Sequence, residues 1–420
     1  MIQIIRNKRH NKIILRRLLF FNITLVLLLA NSPLARAQLA NPDLPYREGV
    51  KIKDVIIHSA IKTEEQFEGN IYLQDTDTKS DSITLVNPSV GIEIPLRRNR
   101  ISADYDAEIY SYGSHESEDH VDHRVRALGE VNLADYKVSA RDTVRIFIDR
   151  RADENSNRIK RQENTFRIGI EAKYERLGFD IGYTNKFEGY DSEEISFRSL
   201  TYSDRSRFVN IIDATLSYRF LPKTMALLEN DLGFVTYHNS SEVPNSYYDE
   251  ILLGMRGEWF AKLYINFKAG LRYQNYEDSN LIVDKDYVGL VMRGGLDYFA
   301  TEDDTVTLAA ERVVVESIYS NMNYYNVNAL KLSYTHRFND KVSATLFGIY
   351  QLNLYPAEST ENNVTGKRYD NYLWGGASLR YDIRKWLSVE AKYEYRQRIS
   401  RFDIFDYIDN LATLRGTVGF

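Results

Sequence analysis

Beyond about residue 54 the dominant pattern in this chain is strict alternation of apolar and polar positions. In 263–274 the apolar set is Leu263, Ile265, Phe267, Ala269, Leu271 and Tyr273, and Tyr264, Asn266, Lys268, Gly270, Arg272 and Gln274 stand between them. Leu387, Val389, Ala391, Tyr393 and Tyr395 alternate in the same way with Ser388, Glu390, Lys392, Glu394 and Arg396. Stretches 166–175, 330–338 and 342–354 repeat the arrangement. A period of two sends successive side chains to opposite faces of a strand, whereas a helix would mix these acids, bases and aromatics around its circumference. The pattern therefore predicts strands, each with one apolar and one charged face.

These strands run to about 10–15 residues, longer than the usual 5–6 of soluble sheets and long enough to cross a bilayer at a tilt. The connections alternate in length. Short links fall at 95–99, 134–137, 175–177, 221–223, 260–262, 300–304, 339–341 and 384–385. Longer polar stretches lie between them, at 113–119, 152–160, 188–205, 238–246, 278–285 and 356–370. Short periplasmic turns opposed to longer external loops are the mark of an outer-membrane barrel. The fold class expected is all-β: a transmembrane, antiparallel, up-and-down barrel of about 18 strands, with roughly 16 as the alternative because the first strand, near 56–73, is poorly delimited. Both ends of the barrel then face the periplasm.

The N-terminus has a different character. Arg6, Lys8, Arg9, Lys12, Arg16 and Arg17 precede an apolar stretch from Leu18 to Ala30, and Ala35-Arg36-Ala37 follows. This is the layout of a cleaved secretory signal peptide, so the expected division is a signal peptide over 1–37, a periplasmic segment over 38–53 and the barrel over 54–420. Cleavage after Ala37 removes seven basic residues and no acid, moving the net charge from −5 to −12. An acidic chain argues against nucleic acid as a partner. Zero cysteines exclude disulfides, thiolate metal sites and a lipid-modified N-terminal cysteine. The mean hydropathy of −0.42 looks soluble only because a barrel strand offers every second residue to lipid. The 31 tyrosines are the strongest bias, and several fall at strand ends, where a girdle sets the ring in lipid and the hydroxyl in water.

At the C-terminus Leu414, Gly416, Val418 and Phe420 alternate with Thr413, Arg415, Thr417 and Gly419. The pattern resembles the terminal-Phe signal read by the outer-membrane barrel assembly machinery, and Phe420, Val418 and Leu414 carry it; Gly416 departs slightly from the usual spacing. Residues 81–112, DSITLVNPSVGIEIPLRRNRISADYDAEIYSY, go further. Pro88-Ser89-Val90-Gly91, the turn through Arg98-Asn99-Arg100 and the Asp104-Tyr105 strand, with GNIYL at 69–73 before and Asp122-His123-Arg124 after, resemble a large family of outer-membrane β-barrel porins, many of them found beside exopolysaccharide or capsule synthesis genes. The resemblance extends over about the first third of the mature chain and is architectural beyond it. It implies a part in moving polysaccharide or other polar solutes across the outer membrane. Its motifs are structural and carry no catalytic residue.

Enzymatic alternatives need a positioned base. The one histidine cluster, His115, His120 and His123 among Glu116, Glu118, Asp119 and Asp122, has no spacing that fixes metal ligands and reads as a loop running into a strand, with His120 and Asp122 facing away from His123. The chain is read as no enzyme, with no cofactor, catalytic group or metal. The inward series is more informative. Asp104, Asp106, Glu108, Arg124, Arg126, Arg256, Arg272, Arg293, Arg380, Lys392 and Arg396 are the candidate lumen-lining residues, and charges of both signs require a lumen that is wet or internally paired. The expected function is a passive aqueous pore, with a non-conducting structural or surface-binding barrel as the rival. Expected partners are outer-membrane lipid and lipopolysaccharide, the assembly machinery and polysaccharide export components.

Overall fold

The computed structural model describes residues 49–149, 158–191, 202–238, 243–277, 286–317, 319 and 322–420. The predicted signal peptide lies outside the described residues, as does most of the segment that follows it. The chain opens with a short β1 (Val50–Ile52), followed by β2 (Val55–Glu68), β3 (Asp81–Leu96), β4 (Asn99–Tyr112), β5 (His120–Asn132) and β6 (Tyr136–Asp149). Next come β7 (Ile159–Lys173), β8 (Leu177–Tyr190), β9 (Arg207–Leu221), β10 (Thr224–Tyr237), β11 (Ser246–Phe260) and β12 (Leu263–Tyr276). The remainder is β13 (Asp286–Phe299), β14 (Asp304–Glu316), β15 (Tyr324–Arg337), β16 (Val342–Glu361), β17 (Val364–Arg384), β18 (Leu387–Ser400) and β19 (Tyr407–Gly419). Three 3₁₀ turns sit in the external connections: η1 (Glu116–Glu118), η2 (Tyr202–Arg205) and η3 (Asp403–Phe405).

Each strand from β2 onward pairs antiparallel with its successor, and β19 pairs back onto β2 from Leu411↔Glu68 to Gly419↔Ala60, which closes a ring of 18 strands. Closure leaves no open edge and satisfies the backbone inside lipid. At this seam Arg415 bridges Glu64 of β2 (2.8 Å) and Glu390 of β18 (3.2 Å). β1 pairs only with the periplasmic end of β2, through Val50↔Ile57.

Alternation decides the faces. Leu253, Leu271 and Val288 point outward at 67%, 62% and 72% exposure, while Leu252 and Tyr287, which adjoin the first and last of these, are buried at 1% and 5% on the inner side. Register fixes this, since a slip of one residue would turn the charges to lipid. Aromatic belts flank the apolar band. Several outward tyrosines differ from the expected girdle: the hydroxyls of Tyr183, Tyr350 and Tyr393 bond Asn210, Asn371 and Asn410 at 2.7, 2.8 and 2.6 Å on the neighbouring strand. An asparagine there supplies the acceptor that water would give nearer the surface.

Local irregularities have identifiable causes. Pro88 lacks an N–H, and the β3–β4 ladder passes from Val86↔Ile109 to Ser89↔Asp106 without pairing across it. Asn87 compensates by donating its side-chain amide to Ala107 O at 2.7 Å. Gly294 has φ +135, and a Cβ there would stand 2.1 Å from Asn266 O, so β12 and β13 approach more closely than any side chain permits.

The long polar stretch 356–370 is not a loop. β16 and β17 run to 20 and 21 residues and turn at Asn362-Asn363, whose φ values of 46 and 66 form the left-handed pair that a two-residue hairpin demands. The ladder breaks between Leu354 and Glu358, around Pro356, and resumes at Glu358↔Lys367. The first barrel strand also ends earlier than the sequence suggested, at Glu68, because Gly69–Leu73 turns off as a loop whose Ile71 packs on inward-facing Ile83 and on Tyr112.

Candidate functional site

All eleven predicted lumen residues lie on inward positions of their strands. Asp106 is the anchor of the β4–β5 wall: it accepts from Arg124 Nη2 (2.9 Å) and Arg126 Nη2 (2.8 Å), while Asp104 faces Arg126 across the ladder. Glu108 accepts from the Tyr110 hydroxyl at 3.0 Å. Arg293 spans three strands to pair with both Glu250 and Asp231. Arg272 stacks on Tyr248 with its guanidinium 3.7 Å from the ring centroid and donates to Gln274 at 2.7 Å. Arg380 pairs with Asp382 (3.1 Å), and Arg396 and Lys392 share Glu394 at 3.3 and 2.9 Å. Arg256 is exposed to the lumen.

Two cavities occupy this interior. One, of about 500 Å³, lies toward the periplasmic end between β7 and β12; it holds Arg256 and the cluster of Arg167 with Asp180 (3.0 Å) and Asp213. The other, of about 630 Å³, lies against β15–β18 and reaches Tyr407 at the start of β19. Both cavities are polar, and many of the charges of the inner wall are cross-strand pairs held in place by register.

The external mouth carries interactions that the sequence reading missed. Arg368 and Asp370 are both fully buried and paired through two contacts, Nη2–Oδ2 at 2.7 Å and Nε–Oδ1 at 3.0 Å. The Arg368 guanidinium is caged by Phe405, Tyr319 and Tyr355 at 3.7, 4.5 and 4.7 Å. This cage ties the extended β16–β17 hairpin to the β14–β15 loop and to η3. Tyr355 is 3% exposed and packs against Tyr319 and Tyr325, so its ring is closed to a ligand, whereas Tyr369 is exposed. Farther round, Arg205 of η2 donates to Ser317 O at 2.8 Å, and Glu316 accepts from Gln274 (2.6 Å) and Tyr276 (3.2 Å). Because β9 and β14 are five strands apart, the Arg205 contact crosses the mouth. Neither the hairpin turn at Asn362-Asn363 nor the hairpin's folding onto its neighbours was read from the sequence.

The histidine cluster is dispersed. Asp81, at the external rim, gathers the backbone N–H groups of Ser114 and His115 (each 2.9 Å) and the His115 ring (2.8 Å). Burial pushes its carboxyl up, but these hydrogen bonds outweigh burial and hold its pKa below the ordinary value. His120 stacks on Tyr110 at 4.5 Å, and His123 sits on the outer face against the Tyr105 hydroxyl at 3.0 Å. Among the described residues no three of His, Cys, Asp or Glu are grouped to hold a metal ion.

At the terminus, Phe420 exchanges backbone hydrogen bonds with Ser59 (3.1 and 2.8 Å) and stacks on Trp386 at 5.9 Å. Leu414 and Val418 share the alternate face of β19 with it, and Leu414 is 56% exposed.

With this geometry in view, comparisons with known proteins are specific at the family level. A family model described as "Putative beta-barrel porin 2" matches residues 45–418. The siderophore receptor PiuA of Acinetobacter baumannii aligns over 89% of this chain and 82% of its own, at 9% identity and a TM-score of 0.50, a likeness of fold alone. The outer membrane protein OpdK of Pseudomonas aeruginosa aligns over 87% of this chain and 98% of its own, at 10% identity and a TM-score of 0.48. OccAB4 of A. baumannii covers the same shares at 12% identity and 0.47. No curated protein matches in sequence.

Proposed function

This chain belongs to the family described as "Putative beta-barrel porin 2", and we propose that, within the outer membrane, it forms a passive aqueous pore serving export of exopolysaccharide or similar polar solutes. The observation that carries the reading is the closed ring of 18 strands whose inner face is rich in charge of both signs and holds two open cavities. Paired charges keep such a wall hydrated, and hydrated walls favour solutes rich in hydroxyl groups over apolar ones. In this reading Asp106, Arg124, Arg126, Arg256, Arg272 and Arg293 line the path, with Asp104, Glu108, Arg380, Lys392 and Arg396. Residues 1–37 direct secretion and are removed, and Phe420, Val418 and Leu414 present the last strand to the assembly machinery. Lipopolysaccharide and polysaccharide export components are the proposed partners.

A second reading, a barrel that does not conduct, draws on the mouth. The Arg368 cage and the Arg205–Ser317 contact lay side chains over the opening, and a barrel so covered serves as a surface-binding scaffold. Planar-bilayer recording of the purified protein separates the two. Stepwise ohmic currents support the pore; silence from both the intact barrel and one shortened across 355–370 defeats it.

A further inference from the structure

The two chambers differ in charge. The lining of the periplasmic chamber balances six cationic side chains against five carboxylates. Among the described residues, the chamber against β15–β18 sets Lys331, Lys392, Arg396 and Arg398 against the carboxylate of Glu394; Arg396 also reaches the buried Asp409 at 3.8 Å, and Arg398 is held by Phe405 O and the Tyr372 hydroxyl. Glu394 is already shared by Lys392 and Arg396, and Lys331 makes no ion pair among the described residues. The chamber also carries aromatic surface the other lacks at this density. Phe347 lies under the Lys392 ammonium at 5.3 Å, Trp374 meets Tyr372 edge-on at 6.3 Å, and the Trp374 Nε1–H is buried without an acceptor.

We propose that this chamber is a binding site for an anionic saccharide chain. The inference rests on the pore reading and names its substrate class. Aromatic faces suit a pyranose ring, whose C–H hydrogens meet the negative π-face while its hydroxyls reach Ser333, Thr345 and Ser378 on the chamber wall. Excess cations suit carboxylates, through charge-assisted hydrogen bonds. Lys392, Arg396 and Arg398 lie along one inward face of β18, about 7 Å apart for each two-residue step. Charges spaced along a line match carboxylates that recur along a polymer better than they match one small acid.

Titration of the folded, detergent-solubilised full-length chain tests this, with hexagalacturonate, maltohexaose, monomeric galacturonate and benzoate as probes, read by calorimetry and by Trp374 fluorescence. The acidic hexamer is expected to bind at least tenfold more tightly than maltohexaose and than either monomer, and to weaken as salt is raised. The triple variant Lys331→Gln, Lys392→Gln, Arg396→Gln should lose at least tenfold of that affinity, while Lys385→Gln in a periplasmic turn leaves it unchanged. A thermal melt equal to that of the parent shows that the triple variant is folded; if it melts early, Lys331→Gln alone carries the comparison. Equal binding of the two hexamers, benzoate as tight as the hexamer, or full affinity in the charge variants overturns the proposal. Conductance separates the two readings. Acid-selective binding by a barrel that never conducts keeps this site and defeats the pore; a conducting barrel without acid preference defeats only this site.

Discussion

Replacing Arg368 by alanine should release the β16–β17 hairpin from the mouth while leaving the barrel intact. Arg368 and Asp370 each have 0% side-chain exposure, and Ser400 also donates to Asp370 at 2.6 Å. Truncation leaves Asp370 buried without its cation, a change that costs about 3–5 kcal/mol in measured cases. The guanidinium also lies 3.7 Å from the Phe405 centroid, a desolvated cation–π contact worth about 2 kcal/mol. Both terms belong to one truncation and overlap, so about 4 kcal/mol is the working figure. At about 1.4 kcal/mol per factor of ten, the ratio of released to seated hairpin rises about a thousandfold. Asp370 keeps its ladder partners Asn353 and Ser400, and the rungs on the periplasmic side of it do not involve this cage, so thermal unfolding of the whole protein should change little. Proteinase K applied to proteoliposomes should cut 355–370 in the variant much faster than in the parent, and single-channel conductance should rise. Arg368→Lys keeps the charge but loses the fork that meets both oxygens, and should fall between the two. Unchanged cleavage and unchanged conductance in Arg368→Ala would refute the assignment of this cage as the hairpin's clamp.

Leu271→Arg places a charge on the lipid face and should destabilise the barrel in urea by about 2–4 kcal/mol, whereas Thr345→Arg on the inner face should cost far less; equal losses would mean that the faces are misassigned. Arg415→Ala removes the tie among β18, β19 and β2, leaves the 4%-exposed Glu64 carboxylate with Lys62 and the Gln66 amide, and should destabilise by about 2 kcal/mol, seen as faster loss of the heat-resistant gel band. Asp304, at a periplasmic turn, accepts hydrogen bonds from Thr301, Tyr334 and His336, which bring its pKa down to about 2. A depressed carboxylate contributes stability above its unfolded pKa and loses it as pH falls through the folded one. Exchange of the amides at 303–304 should therefore accelerate between about pH 4 and pH 2, and the step should vanish in Asp304→Asn.

How far the sequence reached follows from what a barrel strand is. Alternation such as Leu263 to Gln274 gives strand and face at once, because the period is local and one face must meet lipid. The eight short turns then give up-and-down order, and with it the antiparallel pairing of neighbours. For the same reason the inward placement of Asp106, Arg272 and Arg396 was legible: each follows from parity within its own strand. The strand count was fixed only by the end of β2 at Glu68 and by the Leu411↔Glu68 closure, two observations that need the whole ring. Stretch 356–370 was misread because its polar residues lie on both faces of a hairpin that leaves the lipid, where alternation no longer has a physical cause. Arg368 looks like any surface arginine until Tyr319, Phe405 and Asp370, two of them distant in sequence, close around it. The contrast in charge between the linings of the two cavities is equally tertiary. The sequence by itself determined the strands, their faces and the mixed charge of the wall, since these depend on residue type and a period of two. Which charges meet, which stay uncompensated and what covers the mouth were decided only when closure brought strands many residues apart into contact.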